Sequence, residues 1–111
     1  MITRGTDLQA DPAYWAQLDH GSVELVRRAR GYLDSGADDR VECSMSKYFC
    51  SEAANQVATK AVQVFGAAGL MEGNVAERLF RDAREATIPE GTSQMQVLQI
   101  GKALLGVSAV R

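Results

Sequence analysis

The sequence predicts an all-α fold, and three observations carry that reading. Apolar residues recur at spacings of three and four along most of the chain, the period of an amphipathic helix. The runs open on residues that cap helices. Only 2 prolines and 10 glycines occur in 111 residues, few enough to permit long helices. That length amounts to one domain. It can bury roughly two-thirds of its unfolded surface, enough for a single core without disulfide or metal staples.

Residues 1–10 read as a flexible N-terminal arm, and 11–111 as the helical domain. Asp11-Pro12 opens the first helix, with aspartate as N-cap and proline at the first helical position. Trp15, Leu18, Ser22, Leu25, Ala29, Tyr32 and Leu33 form its stripe, and Gly21 marks a weakness or a close approach to a neighbour. It ends near Asp34-Ser35-Gly36. Asp39-Arg40-Val41-Glu42 has the spacing of a capping box and opens the longest segment, to about Phe65. There Met45, Phe49, Ala53, Val57, Ala61 and Val64 trace one face, and Ala54, Ala58, Val62 and Phe65 a second. A helix apolar on two faces is expected between partners. Gly66-Ala67-Ala68-Gly69 stops it.

Asn74-Val75-Ala76-Glu77 starts a short charged helix through Glu85. It offers i,i+4 pairs Glu77/Arg81, Arg78/Asp82 and Arg81/Glu85, each exposed pair adding only ~0.3–0.5 kcal/mol. Thr87-Ile88-Pro89-Glu90-Gly91 breaks the pattern. Ser93-Gln94-Met95-Gln96 has the spacing of a Ser-x-x-Gln capping box for a last helix, with Met95, Leu98, Leu104 and Leu105 apolar, ending near Gly106. Short connections imply an up-down antiparallel four-helix bundle.

Composition narrows the function classes. Lys plus Arg is 12 and Asp plus Glu 14, a net charge of −2, so no nucleic acid or anionic membrane is expected to be held by bulk electrostatics. No stretch approaches the ~20 apolar residues of a membrane span, and the first residues carry no signal-peptide core. Cys43 and Cys50 lie seven apart, about 10 Å along one helix, too far for a disulfide. Two buried or half-buried thiols in a reducing cytoplasm are expected. One histidine and no Cys-x-x-Cys suggest no metal site.

Three places offer chemistry. Glu90 sits between Pro89 and Gly91 just before a helix. It reads either as plain compensation of the helix dipole or as a general base on a rigid mount, with Gly91 letting a ligand approach. Gln63-Val64-Phe65-Gly66-Ala67-Ala68-Gly69 reads as a C-cap or as an approachable backbone. It is no phosphate loop, because the glycines follow the helix instead of opening one. Arg78, Arg81 and Arg84 read as an ion-paired, solvated face or as an anion receiver.

Taken in order, Lys47-Tyr48-Phe49-Cys50-Ser51-Glu52-Ala53-Ala54, Ala61-Val62-Gln63-Val64-Phe65-Gly66, Glu77-Arg78-Leu79-Phe80-Arg81-Asp82-Ala83 and Ile88-Pro89-Glu90-Gly91-Thr92-Ser93-Gln94-Met95-Gln96 resemble the C-terminal helical domain of the FAD-dependent acyl-CoA dehydrogenase family. The likeness runs from about residue 12 to residue 106. It implies that Glu90 is the base that removes the α-proton of an acyl thioester while the β-hydride leaves to the flavin, its proton affinity raised by burial against substrate. Gly91 would lie against substrate. Thr92 and Gln94 match positions near the adenosine end of FAD, and Gln63, Gly66 and Ala67 a turn that reaches the FAD of a neighbouring subunit. The family's bundle is its oligomerisation core, which implies a homo-oligomer.

Ala67 stands where the family usually has a second glycine, and Lys102 where arginine is common. The family's N-terminal helical domain, central β-domain and first long bundle helix have no counterpart here. The resemblance therefore implies a C-terminal component, either a split subunit or a fragment, of an acyl-CoA or acyl-carrier-protein dehydrogenase; in the split form a partner chain carries the flavin-binding β-domain. Two other readings stay open. One is a non-catalytic helical assembly module, and the other is a flavin-free acid–base catalyst on an acyl or polyketide-like substrate.

Overall fold

A computed structural model describes residues 12–109; the expected arm over 1–10 lies outside the described residues. Four helices form: α1 (Pro12–Ser35), α2 (Arg40–Phe65), α3 (Val75–Glu85) and α4 (Ser93–Leu105). A 3-10 turn, Gly66–Leu70, follows α2. No strand occurs among the described residues.

Among the described residues every contact between α-helices runs through α2: α1, α3 and α4 each pack on it and not on one another, and the 3-10 turn packs on α2 and α3. Hydrogen bonds give the directions. Tyr14 Oη donates to Gln56 Oε1 (2.6 Å), Cys50 Sγ to the Ser22 carbonyl (3.8 Å) and Ser46 Oγ to the Leu25 carbonyl (2.9 Å). The numbers rise in α1 as they fall in α2, so the pair is antiparallel. Ser93 Oγ donates to Glu52 Oε1 (2.6 Å) and Ser44 Oγ to Gln99 Oε1 (2.9 Å), which makes α4 antiparallel to α2 as well. Asn55 Nδ2 reaches the Ala83 carbonyl at the end of α3 (2.7 Å). Hence α3 and α4 run in the same direction, in tandem along α2.

The seam is made of small and polar groups. Ala53, Ala58 and Ala76 are the buried apolar residues; Ser44, Ser46, Ser51, Thr87, Ser93 and Gln96 are buried beside them, and no large side chain is fully enclosed among the described residues. The expected self-sufficient core is thus replaced by a thin one. Of the two predicted faces of α2 only Ala53 and Ala58 are buried; Ala54 is exposed, and so are Val57, Val64 and Phe65. On α4 the predicted stripe faces outward, with Leu104 and Leu105 at 70% and 77% exposure, while Ser93 and Gln96 face α2. The α1 stripe is half-buried as read, except for exposed Leu33. The radius of gyration is 16.8 Å, against about 13 Å for a compact chain of this length. No helix among the described residues is long and apolar enough to cross a membrane.

Caps and close approaches refine the reading. Asn74 caps α3 by accepting from the Ala76 N–H (2.8 Å). The box read at Asp39 does not close: its side chain makes no cap bond, and φ −99°, ψ 1° turn it away from the extended N-cap geometry. In α4 the cap is Thr92, one residue earlier than read, and its hydroxyl accepts from the Met95 N–H (3.3 Å). Of the three ion pairs, Glu77–Arg81 forms, and the other two do not close among the described residues. Gly21 is a close approach: a Cβ there would lie 3.1 Å from the Phe49 ring.

Gly69 is buried in the 3-10 turn, where a Cβ would sit 2.7 Å from the Val62 carbonyl oxygen. That atom is backbone and has little room to yield. Gly69→Ala should therefore lower stability by about 1–3 kcal/mol, read as an earlier thermal midpoint in circular-dichroism melts.

Candidate functional site

The turn joining α3 to α4 starts with Thr87, which is buried. Its hydroxyl donates to the Arg84 carbonyl (3.0 Å) and accepts from Arg84 Nη1 (3.3 Å). The Ser93 N–H donates to the Thr87 carbonyl (3.1 Å), closing the turn on itself. Pro89, which has no N–H, fixes the approach to Glu90. Glu90 then takes φ 56° and Gly91 φ 90°. Glu90 is the only non-glycine residue at positive φ among those described, a conformation that costs roughly 1–2 kcal/mol for a side-chain-bearing residue. Such strain persists where surrounding contacts over-determine it.

Those contacts come from both flanking helices. Gln96 Nε2 donates to the carbonyls of Glu90 (3.2 Å) and Gly91 (3.2 Å), and Lys47 Nζ reaches the Gly91 carbonyl at 2.7 Å. The Glu90 side chain is exposed, and it lines a cleft of about 660 Å³ together with Lys47, Arg40, Cys43, Gln99 and Lys102. The volume is that of a small-molecule site. The cleft thus holds two carboxylates, Glu90 and Asp38, with two lysines and an arginine; Asp38 is bonded to Arg40, which leaves Glu90 as the carboxylate available for proton transfer.

The other titratable groups of the cleft have different tasks. Arg40 bonds Asp38 through its guanidinium (2.6 and 2.9 Å) and its backbone N–H (3.2 Å). Those bonds hold the Asp38 carboxyl down at about 2. Cys43 is exposed, contrary to expectation, because it sits on the open cleft side of α2 one turn from Asp39. Loss of hydration and the nearby Asp39 carboxylate push its thiol up, which disfavours a nucleophilic thiolate. Cys50 is half-buried.

The residues predicted to meet a cofactor fall into two groups. Thr92 and Gln94 continue directly from Glu90 and Gly91; Thr92 is half-buried at the cap and Gln94 exposed. Gln63, Gly66 and Ala67 are exposed at the far end of α2. With ~1.5 Å per residue, Gln63 lies about 24 Å along the helix from Lys47, so the two groups do not converge within one chain. Gly66 has φ 62°, which favours glycine, whereas Ala67 stays out of the left-handed region and its methyl is compatible with the turn. Among the described residues no cluster of His, Cys, Asp and Glu forms a metal site.

Lys47 and Gln96 had no role in the sequence reading. Lys47 is 44 residues from Gly91, and no local spacing joins them. Gln96 read as a capping-box member because Ser93 read as the cap.

Residues 14–105 match the family model of the acyl-CoA dehydrogenase C-terminal domain. The chain belongs to the acyl-CoA dehydrogenase family. It is 42% identical over 85 residues to cyclohexane-1-carbonyl-CoA dehydrogenase of Geobacter metallireducens, covering 77% of this chain and 22% of that protein. The caffeyl-CoA reductase–Etf complex subunit CarC of Acetobacterium woodii is 41% identical over 81 residues, 73% of this chain and 21% of its own length. The structure of butyryl-CoA dehydrogenase from Megasphaera elsdenii superposes with a TM-score of 0.79 at 29% identity, over 95% of this chain and 29% of that one. The chain thus spans about a fifth to less than a third of these acyl-CoA dehydrogenase relatives.

Two measurements check the site geometry. Gly91→Ala would set a methyl 2.7 Å from Gln96 Nε2 at a φ of 90°. It should cost about 1–3 kcal/mol, read in denaturant melts. The Asp38 carboxyl should titrate by carbon NMR at about 2 and rise into the ordinary carboxylate range in Arg40→Gln. Because its folded value is depressed, the pair's contribution to stability is present above the ordinary carboxylate range and is lost as pH falls through about 2.

Proposed function

We propose that this chain is the C-terminal, base-bearing part of a flavin-dependent acyl-CoA or acyl-carrier-protein dehydrogenase, with Glu90 taking the α-proton of an acyl thioester. The observation that carries the proposal is Glu90 itself, a strained carboxylate on the cleft in a chain of this family. The names of its relatives, dehydrogenases and a reductase of CoA thioesters, support the substrate class.

Glu90 removes the proton, and Gly91, lacking a side chain, lets the thioester come close to the backbone. FAD, when bound, supplies the acceptor for the β-hydride. The side chains present suit one edge of that cofactor: Thr92 and Gln94 at its adenosine end, and the exposed turn of Gln63, Gly66 and Ala67 toward the FAD of a neighbouring subunit. Gly66, at φ 62°, leaves its backbone open there. A flavin needs an enclosed pocket, so the enclosure comes from other polypeptide. We assign that role to a β-domain on a partner chain or elsewhere in the same protein, and to a second copy of this chain. Exposed Val57, Val64, Phe65, Leu70 and Met71 favour such assembly, because burying them removes apolar surface from water.

Co-purification with the polypeptide that supplies the β-domain should give a yellow complex with flavin at 1:1 stoichiometry. A mixture that never acquires flavin absorbance overturns the proposal. Within the complex, Glu90→Gln should keep flavin and assembly while losing about 10²- to 10⁴-fold in α-proton removal. An inert Glu90→Gln with assembly intact would instead identify a non-catalytic module. A colourless preparation that still exchanges α-protons would identify a flavin-free catalyst.

A further inference from the structure

The left-handed peptide at Glu90–Gly91 is held from two sides of the cleft. From α4 comes Gln96, which is 5% exposed. Its amide carries two N–H donors, and Nε2 lies 3.2 Å from each of the Glu90 and Gly91 carbonyls. From α2 comes Lys47, whose ammonium makes a charge-assisted bond of 2.7 Å to the Gly91 carbonyl. The Gly91 oxygen therefore has both lone pairs occupied, by donors on different helices. The fit is close, since a Cβ on Gly91 would stand 2.7 Å from Gln96 Nε2.

We infer that Gln96 and Lys47 are positioning residues for Glu90: by bonding the Glu90 and Gly91 carbonyls they clamp the two-residue segment in its left-handed conformation and so keep the Glu90 carboxylate on the cleft. The inference rests on Glu90 being the base. Without the clamp, φ relaxes toward negative values, where a non-glycine residue is unstrained, and the carboxylate swings away from the position the cleft now gives it. Neither residue touches the reacting atoms; both act through the backbone that carries the base.

The test uses the flavin-loaded assembly containing the whole chain, with α-deuterated straight-chain acyl-CoA thioesters as probes. Gln96→Met keeps the volume and removes both donors. It should lower kcat for α-proton removal about 10- to 100-fold, leave KM within about twofold and raise the α-deuterium isotope effect, with flavin content unchanged. Lys47→Met should do the same to a smaller degree, and Lys47→Arg, which keeps a cationic donor, should recover most of the rate. The double variant Glu90→Gln/Gln96→Met should be no slower than Glu90→Gln, because the clamp has nothing left to position.

A Gln96→Met enzyme with wild-type kcat, or one that slows the Glu90→Gln background by the same factor, overturns the inference and leaves the base assignment standing. If Gln96→Met does not fold, Lys47→Met carries the test, and wild-type kcat there overturns it. Full activity in Glu90→Gln, or no exchange by the unaltered assembly with any probe, overturns the base assignment and the clamp together.

Discussion

Everything in this chain is organised by the contact surface of α2. Three helices dock on it and none on another, so α2 fixes where each of the others lies. Its inward groups are small or hydroxylic, with Ser44, Ser46, Ser51, Ala53 and Ala58 buried. Such residues let backbones approach closely, but they bury little apolar area, and the hydrophobic contribution scales with that area. Hydrogen bonds set the register instead. Each net bond is worth only about 1 kcal/mol, but a slip of one residue would strand a buried donor or acceptor, which costs more than the bond gains.

The site follows from that arrangement. The α3–α4 turn is anchored to α2 twice, by Ser93 on Glu52 and by Lys47 on Gly91. The strained conformation of Glu90 is thereby tied to the spine of the molecule and not to a free loop. Large apolar side chains, released from core duty by the small-residue seam, are left on the outside of α2, the 3-10 turn and α4. The chain, which spans about a fifth to less than a third of its relatives, therefore combines a thin buried seam with an apolar exterior.

Helix positions were legible because start and stop signals are local chemistry. Pro12, Asn74 and the Gly66 terminus each act within one turn, and the element bounds agree with the reading to within a residue or two. Helix faces were less legible. The rule that apolar residues face the core holds for α1 but inverts for α4, where Gln96 and Ser93 face α2 and Leu104 and Leu105 do not. Periodicity shows which residues share a face; it does not show which face meets a neighbour within the same chain. At the site, Glu90 was conspicuous through its flanking Pro89 and Gly91, whereas Lys47 bonds the Gly91 carbonyl from 44 residues away in sequence, beyond any local pattern.

The single spine also governs how the molecule opens. Because α1 meets α4 nowhere, fraying of α1 breaks the bonds at Tyr14, Ser22 and Leu25 while those at Lys47, Glu52 and Ser44 remain. The two sides of α2 are thus expected to open separately in native-state hydrogen exchange. Amides on the α1 side can exchange with solvent deuterium on their own schedule while the turn bearing the acid stays closed.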